Sequence, residues 1–208
     1  MRIINLTNRL SMIYSCNVYL ILGDWSAIDD VNTLIDVGAD PAVIEKINNS
    51  PTGVGKKPVE QVIFTHSHFD HTVLLPTIRA HYQPIVYAQS AFADADHLLA
   101  NGQILKCGNR QFEVIYTPGH SDDSICLYCQ TDGVLFVGDT PVVIRSTDNT
   151  YEDRFVQAFE RLCQLDVKRI YFGHGDPILE DAGAVLQTSL LNVHRTQALN
   201  QLQAAPDS

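Results

Sequence analysis

The sequence has no long hydrophobic run. Its apolar stretches are a handful of residues each, far short of the roughly 20 that a membrane-spanning helix needs. Residues 1–17 alternate apolar and polar side chains without an uninterrupted apolar segment, so no secretory signal is expected. Basic residues are scarce. Fourteen Lys and Arg stand against 24 Asp and Glu, a formal net charge of −10, and no Lys/Arg-rich stretch occurs. This balance disfavours nucleic acid phosphates and anionic membrane surfaces as partners. Cysteine is sparse and odd in number, five in all, which fits reduced thiols in a cytoplasmic protein better than a disulfide framework. Repeats, low-complexity tracts and linkers are missing too, so a single domain over 1–208 is expected, and 45% apolar residues give it material for a sizeable core.

What is present is concentrated. Residues 66 to 71 read His-Ser-His-Phe-Asp-His, four metal-ligand side chains in six positions, directly after the apolar run Gln61-Val62-Ile63-Phe64-Thr65. Such a run reads as a buried strand, and a strand end delivers side chains into a crevice. Imidazoles with a carboxylate form a nitrogen and oxygen set suited to zinc, iron or manganese. Without a metal, the same side chains would place uncompensated polarity where the chain otherwise reads as core.

Three later segments repeat the pattern. Val114-Ile115-Tyr116-Thr117-Pro118-Gly119-His120, Leu135-Phe136-Val137-Gly138-Asp139 and Ile170-Tyr171-Phe172-Gly173-His174 are each a strand, a glycine, then a ligand-type side chain. Glycine at that point lets the backbone turn and approach closely. Five of the eight histidines belong to this arrangement; His81, His97 and His194 fall in expected helices and read as surface residues.

Strands are expected at 3–6, 17–22, 33–36, 85–87, 111–117, 124–129, 134–137 and 169–172, and helices at 42–48, 72–82, 90–100, 152–164 and 180–203. Strands throughout with single helices between them predict sheets covered by helices on their outer faces. The loop Ser50-Pro51-Thr52-Gly53-Val54-Gly55-Lys56-Lys57-Pro58 is not a phosphate loop: no Gly lies five residues before Gly55, and no Ser or Thr follows Lys56. Cys126 and Cys129, three apart on a strand, point to opposite faces and read as core thiols rather than a metal or redox pair. Ser121-Asp122-Asp123-Ser124 reads as a solvated turn. Arg145, Tyr151 and Arg154 follow Asp139 in a segment placed to overhang it, where an Arg can bind a substrate carboxylate or phosphate.

The pattern His66-x-His68-x-Asp70-His71 followed by His120, Asp139 and His174 resembles the metallo-β-lactamase fold superfamily, on the glyoxalase II-like and lactonase-like side. Leu34-Ile35-Asp36-Val37-Gly38 is similar to its early Asp-containing turn. The resemblance implies an α/β (α+β) fold, an αββα sandwich of two mixed sheets flanked by helices, with two divalent metal ions at one edge: zinc foremost, with iron and manganese also fitting. It implies His66, His68 and His120 on one ion, Asp70, His71 and His174 on the other, Asp139 between them, and Asp36 supporting the ligands from behind. A metal-bound His needs its second nitrogen fixed by an outer acceptor, which suits an acidic residue on a nearby turn. One departure is local: small residues and glycines follow the Asp-His of many relatives, whereas Thr72-Val73-Leu74-Leu75 follow here.

The reaction so implied is hydrolysis of a small ester-like bond by a hydroxide shared between two metals about 3.5–4 Å apart. Asp70 is the catalytic residue that orients it. The substrate is a small molecule: a thioester of the hydroxyacylglutathione hydrolase type, or a lactone. Because one helical segment follows His174, the longer region with which glutathione-thioester hydrolases bind substrate is expected to be missing, and no flavin domain is expected. The alternatives are a mononuclear iron oxygenase of the persulfide dioxygenase type, which reuses part of the ligand set, and a metal-binding domain without turnover. A nuclease is disfavoured by the charge. Oligomeric state and substrate-binding residues are not legible.

Overall fold

The strands that carry chemistry at their ends lie between a helix layer and a second sheet. A computed structural model describes residues 1–8, 10–92, 95–146 and 150–204. Strands Arg2–Asn5 (β1), Tyr19–Leu22 (β2) and Thr33–Ile35 (β3) precede the helix Ala42–Asn48 (α1). Strand Gln61–Ile63 (β4), helices Phe69–Thr72 (α2) and Leu75–Tyr82 (α3), and strands Ile85–Ala88 (β5) and His97–Leu98 (β6) complete the first half. The second half holds Ile104–Cys107 (β7), Arg110–Tyr116 (β8), Ile125–Cys129 (β9), Val134–Gly138 (β10), helix Asp153–Cys163 (α4), Arg169–Phe172 (β11) and helix Ala182–Ala204 (α5).

Two mixed sheets result, ordered β1-β2-β3-β4-β5-β6 and β11-β10-β9-β8-β7. In β2, Tyr19 and Ile21 face the second sheet, while Leu20 and Leu22 face Val43 and Ile47 of α1 and Ile78 of α3. In the second sheet Phe112, Leu127 and Phe136 join the core between the sheets; Ile115, Tyr128 and Leu135 pack under Phe155 and Phe159 of α4 and Leu186 of α5. This is the αββα sandwich: the central strands have two faces with a period of 2, one against the helices and one against the other sheet. Cys126 and Cys129 fall into these two different cores, and all five cysteines are buried and free. Among the described residues no helix is long and apolar enough to cross a membrane.

Strand directions explain where the chemistry gathers. β3 and β4 run parallel. β10 and β11 run parallel, and β9 is antiparallel to both β8 and β10, so β8, β10 and β11 share one direction. The two edges are joined where these strands end: Ile125 N–H donates to Thr65 O at 2.9 Å, and Tyr19 Oη and Asn17 Nδ2 donate to Phe172 O.

The expected helix over 72–82 is two helices. Pro76 has no N–H to close a turn on Thr72, and the His71 carbonyl accepts instead from Val37 and Gly38. α2 is therefore a separate turn docked on the Asp36 loop, and the Thr72–Leu75 departure is absorbed by burying Leu74 and Leu75. The expected helix over 90–100 does not form in the described part of that segment; 93–94 lie outside the described residues. Asp96 accepts the Val86 N–H at 2.7 Å and pairs with Arg79, and Leu99 N–H donates to Ala88 O, which pins the segment along β5 as β6. His97 is thus on an edge strand, not a helix; like His81 and His194 it is exposed. β7 was not anticipated. Its alternation of exposed Ile104 and Lys106 with buried Leu105 and Cys107, followed by Gly108-Asn109, is its signal.

Candidate metal centre

Four strand ends and α2 converge on one spot at the sandwich edge. β4 leads into His66 and His68, α2 carries Asp70 and His71, and β8, β10 and β11 lead into His120, Asp139 and His174. The ligand-type atoms of His66, His68 and His120 lie within 4.8 Å of one another, as do those of Asp70, His71 and His174, and those of His66, His71 and Asp139. Asp139 stands between the first two groups: its Oδ2 is 3.6 Å from His120 Nε2 and 3.6 Å from His174 Nε2. His120 Nε2 is 2.9 Å from His68 Nδ1, His71 Nε2 is 3.4 Å from Asp139 Oδ1, and His174 Nε2 is 2.9 Å from Asp70 Oδ2. Two atoms bound tetrahedrally to one zinc at ordinary bond lengths sit about 3.4 Å apart. The observed spacings bracket that value.

Satisfaction of polar atoms supports the same fit. His66 Nε2, Asp70 Oδ2, His71 Nε2, Asp139 Oδ1 and His174 Nε2 are buried and make no hydrogen bond; the close approaches among them lack hydrogen-bond alignment. Each such orphan costs about 1–3 kcal/mol in a folded protein unless something fills it. Five orphans gathered in one cluster of ligand-type side chains therefore fit bound cations.

Electrostatics matches the donor set. Burial, with the charge of His71, pushes His66 down to about 4, and burial also lowers His120, so both imidazoles keep a lone pair free. Burial opposes the charge on His71, but Asp36 and Asp139 outweigh it and raise its pKa well above the ordinary histidine range. Burial likewise works against the Asp139 carboxylate, but His71, His174 and His66 overcome it and hold that group at about 2.

Behind the cluster lies Asp36, 1% exposed, in the left-handed region at φ 57°. Its Oδ1 accepts the Thr65 N–H at 2.8 Å; its Oδ2 accepts the Thr65 hydroxyl at 2.8 Å and faces His71 Nδ1 at 2.9 Å. Four residues with roles here were missed by sequence reasoning. Thr65 links Asp36 to His66 Nδ1 at 3.2 Å. Tyr14 stacks on His174 with ring centroids 5.2 Å apart. Cys16 sits beside Asp36 and His71, its thiol pushed up to about 12 by burial and so kept neutral. Asn17 ties Phe172 and Gly175 together around His174. None stands in a recognisable local motif; only Thr65, next to the cluster, had a signal in position.

The turn after His120 corrects the sequence reading. Asp122 is solvated, but Asp123 is buried, accepting hydrogen bonds from Ser121 and Ser90 at 2.7 Å each. Arg145 and Tyr151 line a cavity that reaches His120 and Asp139, whereas Arg154 does not; it pairs with Asp122 and Glu152 instead.

Gly173 shows how tightly the cluster is built. A Cβ there would lie 2.1 Å from Asp139 Oδ1 and 2.8 Å from His71 Cε1. Gly173→Ala is expected to displace Asp139, lower metal content at least tenfold at limiting zinc and cost about 1–3 kcal/mol. Elemental analysis and urea denaturation measure both, and wild-type metal uptake in the variant would refute the tight-packing argument.

Comparison with known proteins identifies the family to which this sandwich and its edge cluster belong. The family model for the metallo-beta-lactamase superfamily matches residues 13–95 and 88–174, and the chain belongs to that superfamily. It is 26% identical over 146 residues to the atrochrysone carboxyl ACP thioesterase of Aspergillus fumigatus, across 68% of this chain and 46% of that protein. To the hydroxyacylglutathione hydrolase of Rhodopseudomonas palustris it is 31% identical over 121 residues, across 54% of this chain and 47% of the relative. The chain thus spans just under half the length of these curated relatives. Among solved structures, the BLEG-1 B3 metallo-beta-lactamase superposes with a TM-score of 0.69 at 24% identity, covering 92% of this chain and 99% of that one. ETHE1 from Myxococcus xanthus gives 0.67 at 24% identity, covering 96% and 92%. At that identity the likeness is one of fold.

Proposed function

We propose that the protein is a dinuclear metal-dependent hydrolase of small ester-like bonds, with thioesters ahead of lactones. The observation that carries this reading is the position of Asp139 Oδ2, 3.6 Å from a nitrogen of each of two separate ligand groups. His66, His68 and His120 would hold one ion, Asp70, His71 and His174 the other, and Asp139 would serve both. Bound there, two ions would lower the pKa of a shared water towards neutrality and polarise the scissile carbonyl. The chain's own residues do the rest. Asp36 holds the His71 ring so that Nε2 faces the cluster. Asp70, with one oxygen beside His174, accepts a hydrogen bond from the attacking water with the other and so orients it. Thioesters rank first because the curated relatives include thioesterases and hydroxyacylglutathione hydrolases.

The test is metal content after reconstitution together with thioester, lactone, phosphodiester and persulfide substrates. Two ions per chain and thioester or lactone turnover that disappears with chelator and returns with zinc are expected. One iron per chain with oxygen consumption on a persulfide would replace this reading with the oxygenase one, and bound metal without any turnover would leave a metal-binding domain.

A further inference from the structure

The segment after Asp139 is a fixed platform. Val142 and Ile144 are buried in the core beneath α4 and α5, so the alternate residues Val143 and Arg145 are turned outward. Both backbone groups of Ile144 are held by α5: its N–H donates to Ser189 Oγ at 2.9 Å, and its carbonyl accepts from Asn192 Nδ2 at 2.8 Å. Arg145 follows directly. It lines a cavity of about 650 Å³ shared with His120, Asp139, Val143, Tyr151 and Phe155. That volume lies within the roughly 300–1,000 Å³ of small-molecule sites.

Charge pairing sets Arg145 apart. Arg2, Lys46 and Lys57 donate to protein oxygens, as does Arg169. Lys56, Arg79, Lys106, Arg110, Arg154, Arg161 and Lys168 pair with carboxylates. Among the described residues only Arg145 and Arg195 make no such contact, and Arg195 lies on the exposed side of α5, away from this cavity. In a chain with ten more carboxylates than cations, Arg145 has no carboxylate partner among the described residues, and Glu152, which lines the same cavity, pairs with Arg154 instead. A guanidinium presents a planar fork that matches a carboxylate or a phosphate.

We propose that Arg145 determines the specificity of this site and that the substrate carries an anionic group, a carboxylate or a phosphate. Arg145 binds that group while the scissile carbonyl lies at the His120 and Asp139 end of the same cavity. The proposal rests on the hydrolase reading for the identity of the scissile bond, and on the cavity and the unpaired guanidinium for the charge.

The experiment uses the full chain reconstituted with zinc and four thioesters: a neutral acetyl thioester of N-acetylcysteamine, its succinyl counterpart, an acetyl thioester of 3-mercaptopropionate, and acetyl-coenzyme A. These separate a carboxylate on the acyl part, a carboxylate on the thiol, and a phosphate. Wild type should prefer at least one anionic thioester over the neutral one by roughly 10- to 100-fold in kcat/KM, the range of a charge-assisted hydrogen bond. Arg145→Ala should collapse that ratio, Arg145→Lys should restore part of it, and Arg145→Glu should reverse it. Added salt should shrink the wild-type preference, since the side chain is exposed. In parallel, non-hydrolysable thioether analogues of the three anionic compounds are titrated calorimetrically into wild type and Arg145→Ala. A tenfold or greater loss of affinity in the variant supports the proposal even where no thioester is cleaved, in which case the hydrolase reading alone fails. Equal ratios and equal affinities in the two proteins overturn it.

Discussion

Replacing Asp139 with alanine is expected to reduce metal content from the proposed two ions per chain to one or none and to lower the proposed thioester or lactone hydrolysis by at least about three orders of magnitude. The argument is geometric. Asp139 Oδ2 is equally distant, at 3.6 Å, from His120 Nε2 and His174 Nε2, while Oδ1 is an orphan 3.4 Å from His71 Nε2. Removing the carboxylate takes a ligand from both proposed ions at once, whereas each histidine is assigned to one ion only. Asp139→Asn separates charge from shape: it keeps an oxygen at the same place and should retain one ion with intermediate activity. A second readout does not depend on turnover. Ligand that binds only the folded state at a hundred times its Kd stabilises it by about 2.7 kcal/mol. Saturating zinc should therefore raise the wild-type Tm by several degrees and leave that of Asp139→Ala nearly unmoved. An alanine variant that keeps two ions and activity within tenfold of wild type would refute the bridging role.

The second large effect is expected at Asp36, which touches no proposed ion. Its two oxygens receive the Thr65 N–H, the Thr65 hydroxyl and the His71 ring, all in a site 1% exposed. Asp36→Ala leaves the buried Thr65 N–H, the Thr65 hydroxyl and the His71 ring without their acceptor, a loss of roughly 3 kcal/mol. It also sets alanine at φ 57°, which adds about 1–2 kcal/mol of backbone strain. Asp36→Asn is the more telling change. Asparagine tolerates the left-handed conformation, so the backbone survives, but its amide must turn an NH2 towards one of three donors. The His71 ring then loses its fixed tautomer, and metal affinity should fall about 10- to 100-fold with a smaller loss of stability. Competition with a chromophoric chelator measures the affinity and urea denaturation the stability. If Asp36→Asn binds zinc as tightly as wild type, the support through His71 is not what Asp36 provides.

Much of this was legible along the chain because its signals are local. A ligand-type side chain one or two residues past an apolar run shows in the sequence at His66, His120, Asp139 and His174, and glycines beside the last three mark where the backbone turns. Strands throughout with single helices between them predicted sheets covered by helices on their outer faces, and the family resemblance implied the sandwich. Thr65 and Tyr14 were not legible, because their roles depend on residues distant in sequence: Thr65 meets Asp36 across the parallel pair β3 and β4, and Tyr14 meets His174 from the other end of the chain. The same holds for 90–100, whose composition reads as helix until Asp96 finds the Val86 N–H.

By itself, then, the sequence singled out the candidate ligand side chains and set His66, His120, Asp139 and His174 just past apolar runs, since apolar periodicity and glycine placement act over a few residues. Only the tertiary structure decided that those ends share a direction and an edge, through the parallel pairings of β3 with β4 and of β10 with β11. It alone decided that Asp139 is equidistant from two nitrogens and that Arg145, on the cavity wall, has no carboxylate partner among the described residues. Distances between separate strands, and the pairing of charges across them, are set by register and layer packing, and neither is encoded in any one segment of the chain.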